Sequence, residues 1–343
     1  MTSIRRRAVL KALACTPLAF TPMLAAPFIR RAYAEVAEVQ IAKQFGTLYI
    51  QQDVMEQQRL IEKHAALLGL PGLKVTYLRL AGTGPVTDGL LSGRLHFASG
   101  GAQGAMLLWD RTRGGVKSCF AMNATNQKLL TVRPDLMSIR DLLPTDRIAL
   151  PAVKTSPQAI WLQMAAAQAF GPGEWSRFDA QTVARGHPDS MAQMIGRTEI
   201  NCHWTSSPFQ ERELALPGVH EVASSFKIMD MPSVTPNTIY GNAAFRTENP
   251  IAYRASLAAF REATDFINKE PRQAAELYLL NTGDKDTVEA VMAAMTTPGN
   301  RFTLQPAGLQ KVATFMADCG VLKRRPETLA DLFFPEAAEL GGT

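Results

Sequence analysis

Polar, small and aromatic residues follow four of the short apolar segments that the sequence predicts to be strands. One such turn is Ser99-Gly100-Gly101-Ala102-Gln103, and another, His203-Trp204-Thr205-Ser206-Ser207, adds an imidazole and an indole. At the carboxyl ends of parallel strands, helix N-termini present unpaired N–H groups and a partial positive charge. Such turns suit a small ligand that is hydrogen-bonded from two sides while the Trp204 ring packs against it. The other two turns are Gln44-Phe45-Gly46-Thr47 and Pro151 to Ser156.

Each of these turns also has a purely structural interpretation. Gly100-Gly101 can be a tight turn, Ser156 and Ser207 can be helix caps without a ligand, and Trp204 can belong to the core. The functional interpretation therefore rests on the shared placement of these residues at strand ends.

The sequence contains no motif for catalysis, metal binding or a cofactor. Its five histidines form no HExxH or two-Cys/two-His pattern, and the neighbours Cys202 and His203 would point to opposite faces of a strand. A GxSxG elbow, a Walker loop and a GxGxxG fingerprint do not occur. We therefore expect no catalytic residues, no metal and no cofactor, which favours a binding protein over an enzyme.

Strands and helices alternate along the chain, which predicts an α/β fold with mostly parallel sheets. Proline lies just inside three predicted helices, after Ser156, at His187-Pro188 and after Ser207. The chain after the leader has 309 residues, which is longer than a domain with a single hydrophobic core usually is. Two doubly wound lobes are therefore predicted. Strands are expected at 39–43, 73–80, 95–98, 116–121, 129–133, 147–150 and 199–203.

Residues 1–34 have the composition of a cleaved export signal. A basic segment at Arg5-Arg6-Arg7 is followed by a modestly apolar stretch from Ala12 to Phe28, and Ala32-Tyr33-Ala34 fits a cleavage site before Glu35. The pair Arg6-Arg7 resembles twin-arginine signals. We therefore expect export of the folded chain and cleavage near Ala34/Glu35.

The leader also accounts for the positive charge of the chain. It holds six basic residues and no acidic one, so the formal charge falls from +5 to −1 when it is removed. Nucleic acid is therefore not an expected partner. Three prolines interrupt the apolar stretch, which disfavours a membrane anchor, and Cys15 lies in a poor lipobox. The sequence predicts a soluble periplasmic protein.

Three cysteines, Cys119, Cys202 and Cys319, remain after the leader. Their number is odd and their spacing is wide. One disulfide and a set of buried free thiols are both consistent with this pattern.

Several segments, taken in order, resemble the nitrate/sulfonate/taurine family of ABC-transporter substrate-binding proteins, which includes thiamine-pyrimidine synthase-like members. The resemblance covers roughly Val39 to Leu279. It departs from the family at His96, where Asp is common, and at Asn201-Cys202-His203, where Asp-Ala is frequent, so the ligand of better-known members is not transferred. The segments are GLPGLKV, LLSGRLHFASGG, SIRDLLPTDRIALPAVKTSPQAIWLQMAAAQAFG, HPDSMAQMIGRTEINCHWTSSPFQEREL and FRTENPIAYRASLAAFREATDFINKEPRQAA.

The resemblance implies a type II periplasmic binding protein with two lobes joined by a two-crossing hinge. Lobe I would comprise 35–121 and 233–335 with the closing helices, and lobe II would comprise 122–232. The implied function is capture of a small organic or oxoanion ligand for a membrane permease and, indirectly, its ATPase. Carried over by position, the ligand-binding residues are Gly46, Thr47, Gly100, Gly101, Ala102, Gln103, Asn123, Thr155, Ser156, His203, Trp204, Asn237 and Thr238.

Two other functions remain open from the sequence. An exported enzyme on the same fold would turn over its ligand, although the cysteine cluster of the yeast-type thiamine-pyrimidine synthases does not occur here. A ligand-binding sensory module would differ only in its partner.

Overall fold

The computed structural model describes residues 35–80 and 83–343, and the twin-arginine leader predicted at 1–34 lies outside them. The strands, in chain order, are β1 Glu38–Lys43, β2 Lys74–Arg79, β3 Phe97–Gly101, β4 Val116–Ala121, β5 Asn123–Ala124, β6 Lys128–Thr131, β7 Ile148–Leu150, β8 Thr182–Ala184, β9 Cys202–Thr205, β10 His220–Ser224, β11 Asn237–Asn242 and β12 Arg301–Phe302. The helices are α1 Ile50–Gln57, α2 Leu60–Leu67, α3 Thr83–Leu91, α4 Ala102–Arg111, α5 Pro157–Phe170, α6 His187–Ile195, α7 Phe209–Leu214, α8 Ser225–Met229, α9 Ala243–Glu248, α10 Pro250–Lys269, α11 Pro271–Thr282, α12 Val288–Met295, α13 Leu309–Asp318 and α14 Leu329–Leu332.

Ten of these strands form two five-stranded sheets with the same mixed character, and β5 and β12 form a two-stranded antiparallel sheet. The first has the order β2-β1-β3-β11-β4, in which β1 pairs with β2 and β3 in parallel and β11 is antiparallel to both of its neighbours. The second has the order β10-β6-β9-β7-β8, with β7 parallel to β8 and β9 while β6 runs antiparallel to β9 and β10. The predicted α/β class is confirmed.

Local sequence explains where the principal helices begin. Ser156 caps α5, since its Oγ accepts a hydrogen bond from the N–H of Ala159, and Pro157 occupies the first helical position. Pro188 lies in the first turn of α6, as expected. Pro208 differs from the prediction because it precedes α7 as its N-cap residue, after a cis peptide bond.

A large apolar core lies between the sheets and the C-terminal helices. The predicted stripe on α10 is confirmed, because Tyr253, Leu257, Phe260 and Ile267 are all buried. Cys119 and Cys202 are buried free thiols and Cys319 is a partly exposed one, which decides between the two alternatives for the cysteines. Within the described residues, no helix combines the length and apolarity needed to cross a membrane.

Candidate ligand-binding site

A cavity of about 220 Å³ lies where the carboxyl ends of strands from both sheets meet. The first sheet contributes residues that follow β1 and the last residue of β3, Gly101. The second contributes residues that follow β7, β8 and β9. Because both sheets supply wall residues, a ligand held here would be contacted from two sides. The lining residues are Gln44, Phe45, Leu48, Tyr49, Gly101, Gln127, Pro151, Ser156, Pro157, Gln158, Ala184, Arg185, Gly186, His187, Ser206 and Asn237.

Three helices begin at the wall of this cavity. Gly101 is the N-cap residue of α4, Ser156 is that of α5, and Gly186 is that of α6. A helix N-terminus carries roughly half a positive elementary charge. The cavity therefore lies in a positive field that favours a negatively charged or hydrogen-bond-accepting ligand.

Several polar atoms at the cavity are buried and lack a hydrogen-bonding partner among the described residues. They include Nδ2 of Asn237, Oε1 of Gln158 and Nε of Arg185. The opposite end of the Asn237 amide is fixed, because the Tyr49 hydroxyl donates to its Oδ1 at 3.2 Å. Arg185 also donates from Nη2 to Glu199 at 3.1 Å. Unsatisfied buried donors cost about 1 to 3 kcal/mol each, and a ligand that accepts hydrogen bonds would remove this cost.

A chain of four side chains, here called the relay, leads from the cavity wall into the interior. Ser206 Oγ lies 3.1 Å from Nε2 of His187, and Nδ1 of His187 lies 2.9 Å from Nε2 of His203. Nδ1 of His203 then lies 2.6 Å from Oε1 of Glu213. The side chains of His203 and Glu213 are fully buried. The relay connects a cavity-lining hydroxyl to a carboxyl group that solvent does not reach.

Burial controls the ionisation of the relay. It lowers the pKa of His203 to about 3 and the pKa of His187 well below its usual value. It also raises the pKa of Glu213 to about 9, and the negative charge of Glu211 adds to this shift. At neutral pH the relay therefore consists of neutral groups.

Neither a family model nor a curated protein matches the sequence. Among solved structures, the chain is similar to the alkanesulfonate-binding protein from Xanthomonas axonopodis pv. citri bound to MOPS, at 14% identity and a TM-score of 0.67, covering 90% of this chain and 100% of that one. It is also similar to the periplasmic nitrate-binding protein from Synechocystis PCC 6803, at 14% identity and a TM-score of 0.58, covering 76% and 70%. A Candida albicans gene product with the generic periplasmic binding protein fold gives 12% identity and a TM-score of 0.63, covering 89% and 95%.

The chain has the periplasmic binding protein fold. At these identities the similarity extends to the fold alone.

On this fold, three of the thirteen residues carried over by position line the cavity, namely Gly101, Ser156 and Asn237. The predicted strand-end turns contribute four more lining residues, Gln44, Phe45, Pro151 and Ser206. Gly46 and Gly100 lie next to its wall. A Cβ on Gly46 would lie 3.0 Å from the carbonyl oxygen of Ser207, and one on Gly100 would lie 3.1 Å from Nε2 of Gln44. Gly46 also has a φ of 105°, which side chains rarely allow. Thr155 directly precedes Ser156.

The other predicted residues take structural positions around the cavity. The N–H of Ala102 donates to the carbonyl of Pro236, Nδ2 of Asn123 donates to the carbonyl of Leu48, and the Thr238 hydroxyl accepts from Ser118. Each of these contacts ties neighbouring segments of the fold together. Thr47 and Gln103 are buried, and neither belongs to the cavity wall.

The two aromatic candidates on β9 lie away from the cavity wall. Trp204 is fully buried in the core and does not line the cavity, so its ring is not placed to stack on a ligand there. Strand alternation explains this, because Cys202 and Trp204 share the core-facing side of β9 while His203 faces the other way. His203 lies behind His187 in the relay.

Sequence reasoning did not single out Arg185 or Gln158, and it did not assign His187 to the site. Arg185 and His187 follow β8, which has only three residues and no alternating pattern. The sequence therefore gives no sign that a strand ends just before them. The sequence signal that was available is Gly186-His187-Pro188, a helix start preceded by the β-branched pair Thr182-Val183. Within the described part of the chain, no group of three or more His, Cys, Asp or Glu residues could hold a metal ion.

Proposed function

We propose that the protein is the periplasmic solute-binding component of an ABC importer, and that it captures a small organic or oxoanion ligand between two lobes. The observation that carries the proposal is the cavity itself, walled by strand ends of both sheets, by three helix N-termini and by buried polar atoms that have no hydrogen-bonding partner in the described part of the chain. Its volume of about 220 Å³ is below the range of drug-sized pockets, which starts at about 300 Å³, so it suits a solute of few heavy atoms.

The proposed lobes are 35–121 with 233–335, and 122–232. Strands of the second sheet all fall between Lys128 and Ser224, and those of the first fall on either side, which supports two crossings. Ligand would favour the closed arrangement because it contacts both lobes. Arg212 and Asp284, which belong to different proposed lobes, form an ion pair at 2.9 Å that would add to closure.

The proposed location and partners follow from the leader and the fold. The paired arginines at Arg6-Arg7 support folded export to the periplasm, with cleavage near Ala34/Glu35. The proteins of similar fold include sulfonate-binding and nitrate-binding ones. A membrane permease, and indirectly its ATPase, would be the partners.

A second candidate function is an exported hydrolase, because the relay begins with a serine hydroxyl bonded to a histidine and ends with the Glu213 carboxyl group. This order resembles that of a nucleophile, its base and an orienting acid, with a second histidine inserted. The low pKa of His187 opposes this candidate, because it makes the imidazole a weak general base. We therefore favour binding without turnover.

Thermal shift and calorimetry with sulfonates, nitrate, aromatic acids and pyrimidines would test the proposal on protein purified from the periplasm of an exporting host. We expect at least one small anion to raise the melting temperature and to be recovered unchanged. Native mass spectrometry of the same material would detect a ligand that co-purifies. Turnover of a ligand or of a chromogenic ester, abolished by Ser206→Ala, would favour the hydrolase instead.

A further inference from the structure

The relay of Ser206, His187, His203 and Glu213 has an unusual composition for the wall of a binding cavity. Only Ser206 and His187 line the cavity, and the two groups behind them are fully buried. Among the described residues, Oε2 of Glu213 has no hydrogen-bonding partner, and no Lys or Arg forms an ion pair with this carboxyl group. A carboxyl group in such a place does not serve as a surface charge, so Glu213 can influence the cavity only through His203.

We propose that one proton, shared between Glu213 and His203, sets the direction of the relay and makes Ser206 a hydrogen-bond donor toward the ligand. Glu213 is then a positioning residue for the cavity. This inference rests on the proposed binding function and specifies how one wall of the site is held ready.

With the proton present, the direction follows from counting hydrogens. If the proton lies on Glu213, the carboxyl O–H donates to Nδ1 of His203, so the ring hydrogen of His203 lies on Nε2 and points to His187. If the proton lies on His203 instead, Nδ1–H donates to the carboxylate and Nε2–H still points to His187. In both cases His187 accepts at Nδ1 and donates from Nε2 to Ser206. The Ser206 hydrogen is then free to point into the cavity.

With the proton removed, the hydrogen bond between the two histidines and the one between His187 and Ser206 both reverse. The carboxylate of Glu213 accepts from Nδ1–H of His203, and Nε2 of that ring becomes an acceptor for Nδ1–H of His187. Nε2 of His187 then accepts the hydroxyl hydrogen of Ser206. The serine presents only lone pairs to the cavity, which repel an anion.

The surroundings of Glu213 favour the protonated relay. Glu211, on the same helix, adds negative charge, and His187 from α6 and His203 from β9 are both held neutral by burial. On the facing strand β6, Lys128 forms an ion pair with Glu221 at 2.9 Å and so does not pair with Glu213. Desolvation of an unpaired carboxylate therefore dominates, and the pKa of Glu213 rises to about 9. The donor state of Ser206 is then the ground state at neutral pH.

Nitrogen-15 NMR of the histidine rings tests the relay without any ligand. We expect His187 to carry its proton on Nε2 at pH 7 and to shift it to Nδ1 at about pH 9 and above. Glu213→Gln, whose amide N–H donates to His203 as the protonated carboxyl does, is expected to hold the Nε2–H form of His187 up to pH 10. The matched control Glu174→Gln changes an exposed carboxylate that pairs with Arg177, outside the relay and its surroundings, and should leave the transition in place. Detection of the Nδ1–H form of His187 at pH 7 would overturn the inference.

Calorimetry with ethanesulfonate and nitrate from pH 6 to pH 10 tests whether the relay reaches the ligand. The affinity of the unmodified protein for a bound anion is expected to fall about 10- to 100-fold as Glu213 deprotonates, since a hydrogen bond to a charged group is replaced by repulsion. For Glu213→Gln the affinity should not fall between pH 6 and pH 10. Ser206→Ala should bind more weakly than the unmodified protein at neutral pH, and its profile should also be flat.

Different results would contradict the proposed donor role of Ser206 and the proposed binding function. If the tautomer of His187 changes with pH but anion affinity does not, the proposed donor role of Ser206 is wrong, and the binding function is unaffected. If no anion binds at all, the proposed function fails, and the tautomer of His187 at pH 7 still decides whether the relay exists.

Discussion

Gly101 lies on one side of the cavity and packs tightly against the other. It is the last residue of β3 and the N-cap of α4, and it faces Pro157, the first residue of α5. A Cβ at this position would lie 2.5 Å from Cδ of Pro157 and 2.9 Å from its Cγ. The backbone angles of Gly101, φ −56° and ψ 129°, are open to alanine. The substitution Gly101→Ala therefore inserts one methyl group between the two sides without straining the backbone.

The size of the effect follows from that overlap. Carbon atoms pack at about 3.5 to 4.0 Å, so the two surfaces must separate by roughly 1 Å. Overpacking of this kind costs about 1 to 3 kcal/mol. If the proposed lobes move about a hinge, they can part and relieve the contact, and the cost falls on the closed state alone. We expect ligand affinity to drop about 5- to 150-fold, with the free energy of unfolding unchanged to within about 1 kcal/mol.

Calorimetry with the anion identified in the binding screen, together with urea denaturation, would measure both quantities for Gly101→Ala. Gly173→Ala is the matched control, because a Cβ there has no atom within 4 Å. Its affinity and its stability should both stay close to those of the unmodified protein. A variant at position 101 that binds normally but unfolds more easily by 1 to 3 kcal/mol would refute the reasoning, since it would mean that the two sides are rigidly joined.

Three further predictions concern charge. Arg185→Gln should weaken binding of an anion about tenfold or more and leave thermal stability nearly unchanged, because Nε of Arg185 is buried at the cavity without a partner among the described residues; calorimetry and a melting curve check this. Lys43→Met should lower the free energy of unfolding by about 3 to 5 kcal/mol in urea titrations, since Lys43 Nζ lies 2.7 Å from buried Asp53 and 2.6 Å from Glu56. From pH 6.5 to pH 8.5 folded Glu213 keeps a proton that the unfolded chain has lost. The free energy of unfolding should therefore fall with rising pH by up to about 1.4 kcal/mol per pH unit. Urea titrations at several pH values would measure this slope, and Glu213→Gln should remove this part of it.

Elements fixed by local chemistry were predictable from the sequence. Helix α5 starts where Ser156-Pro157 indicated, because a capping hydroxyl and the fixed φ of proline act within one turn. Strand β9 begins at Cys202, three residues later than the predicted start at 199, because its bounds depend on pairing with β6 and β7, which are distant in sequence. The insertion of β11 between β3 and β4 likewise depends on long-range pairing and leaves no local pattern.

The site was predictable in outline but not by side chain. Strand ends located the region, and Ser156 and Gly101 lie on the cavity wall. The ring of Trp204 suggested a stacking surface for the ligand. Both faces of β9 are buried, however, and strand alternation places this ring in the apolar core while His203 faces the relay. His187 and Glu213 are 26 positions apart in the sequence. The relay connects them only because α6 and α7 both contact β9 in the fold.

The late position of β11 has a consequence for how the nascent chain acquires its structure. Its residues 237–242 fill the gap between β3 and β4, yet the ribosome makes them after every strand of the other sheet. Until then β3 and β4 each expose an unpaired edge, the kind of surface that recruits other strands and aggregates. The first sheet is thus started early and completed late. A fragment that ends at residue 232 should be prone to aggregate, and the two sheets are expected to become stable together.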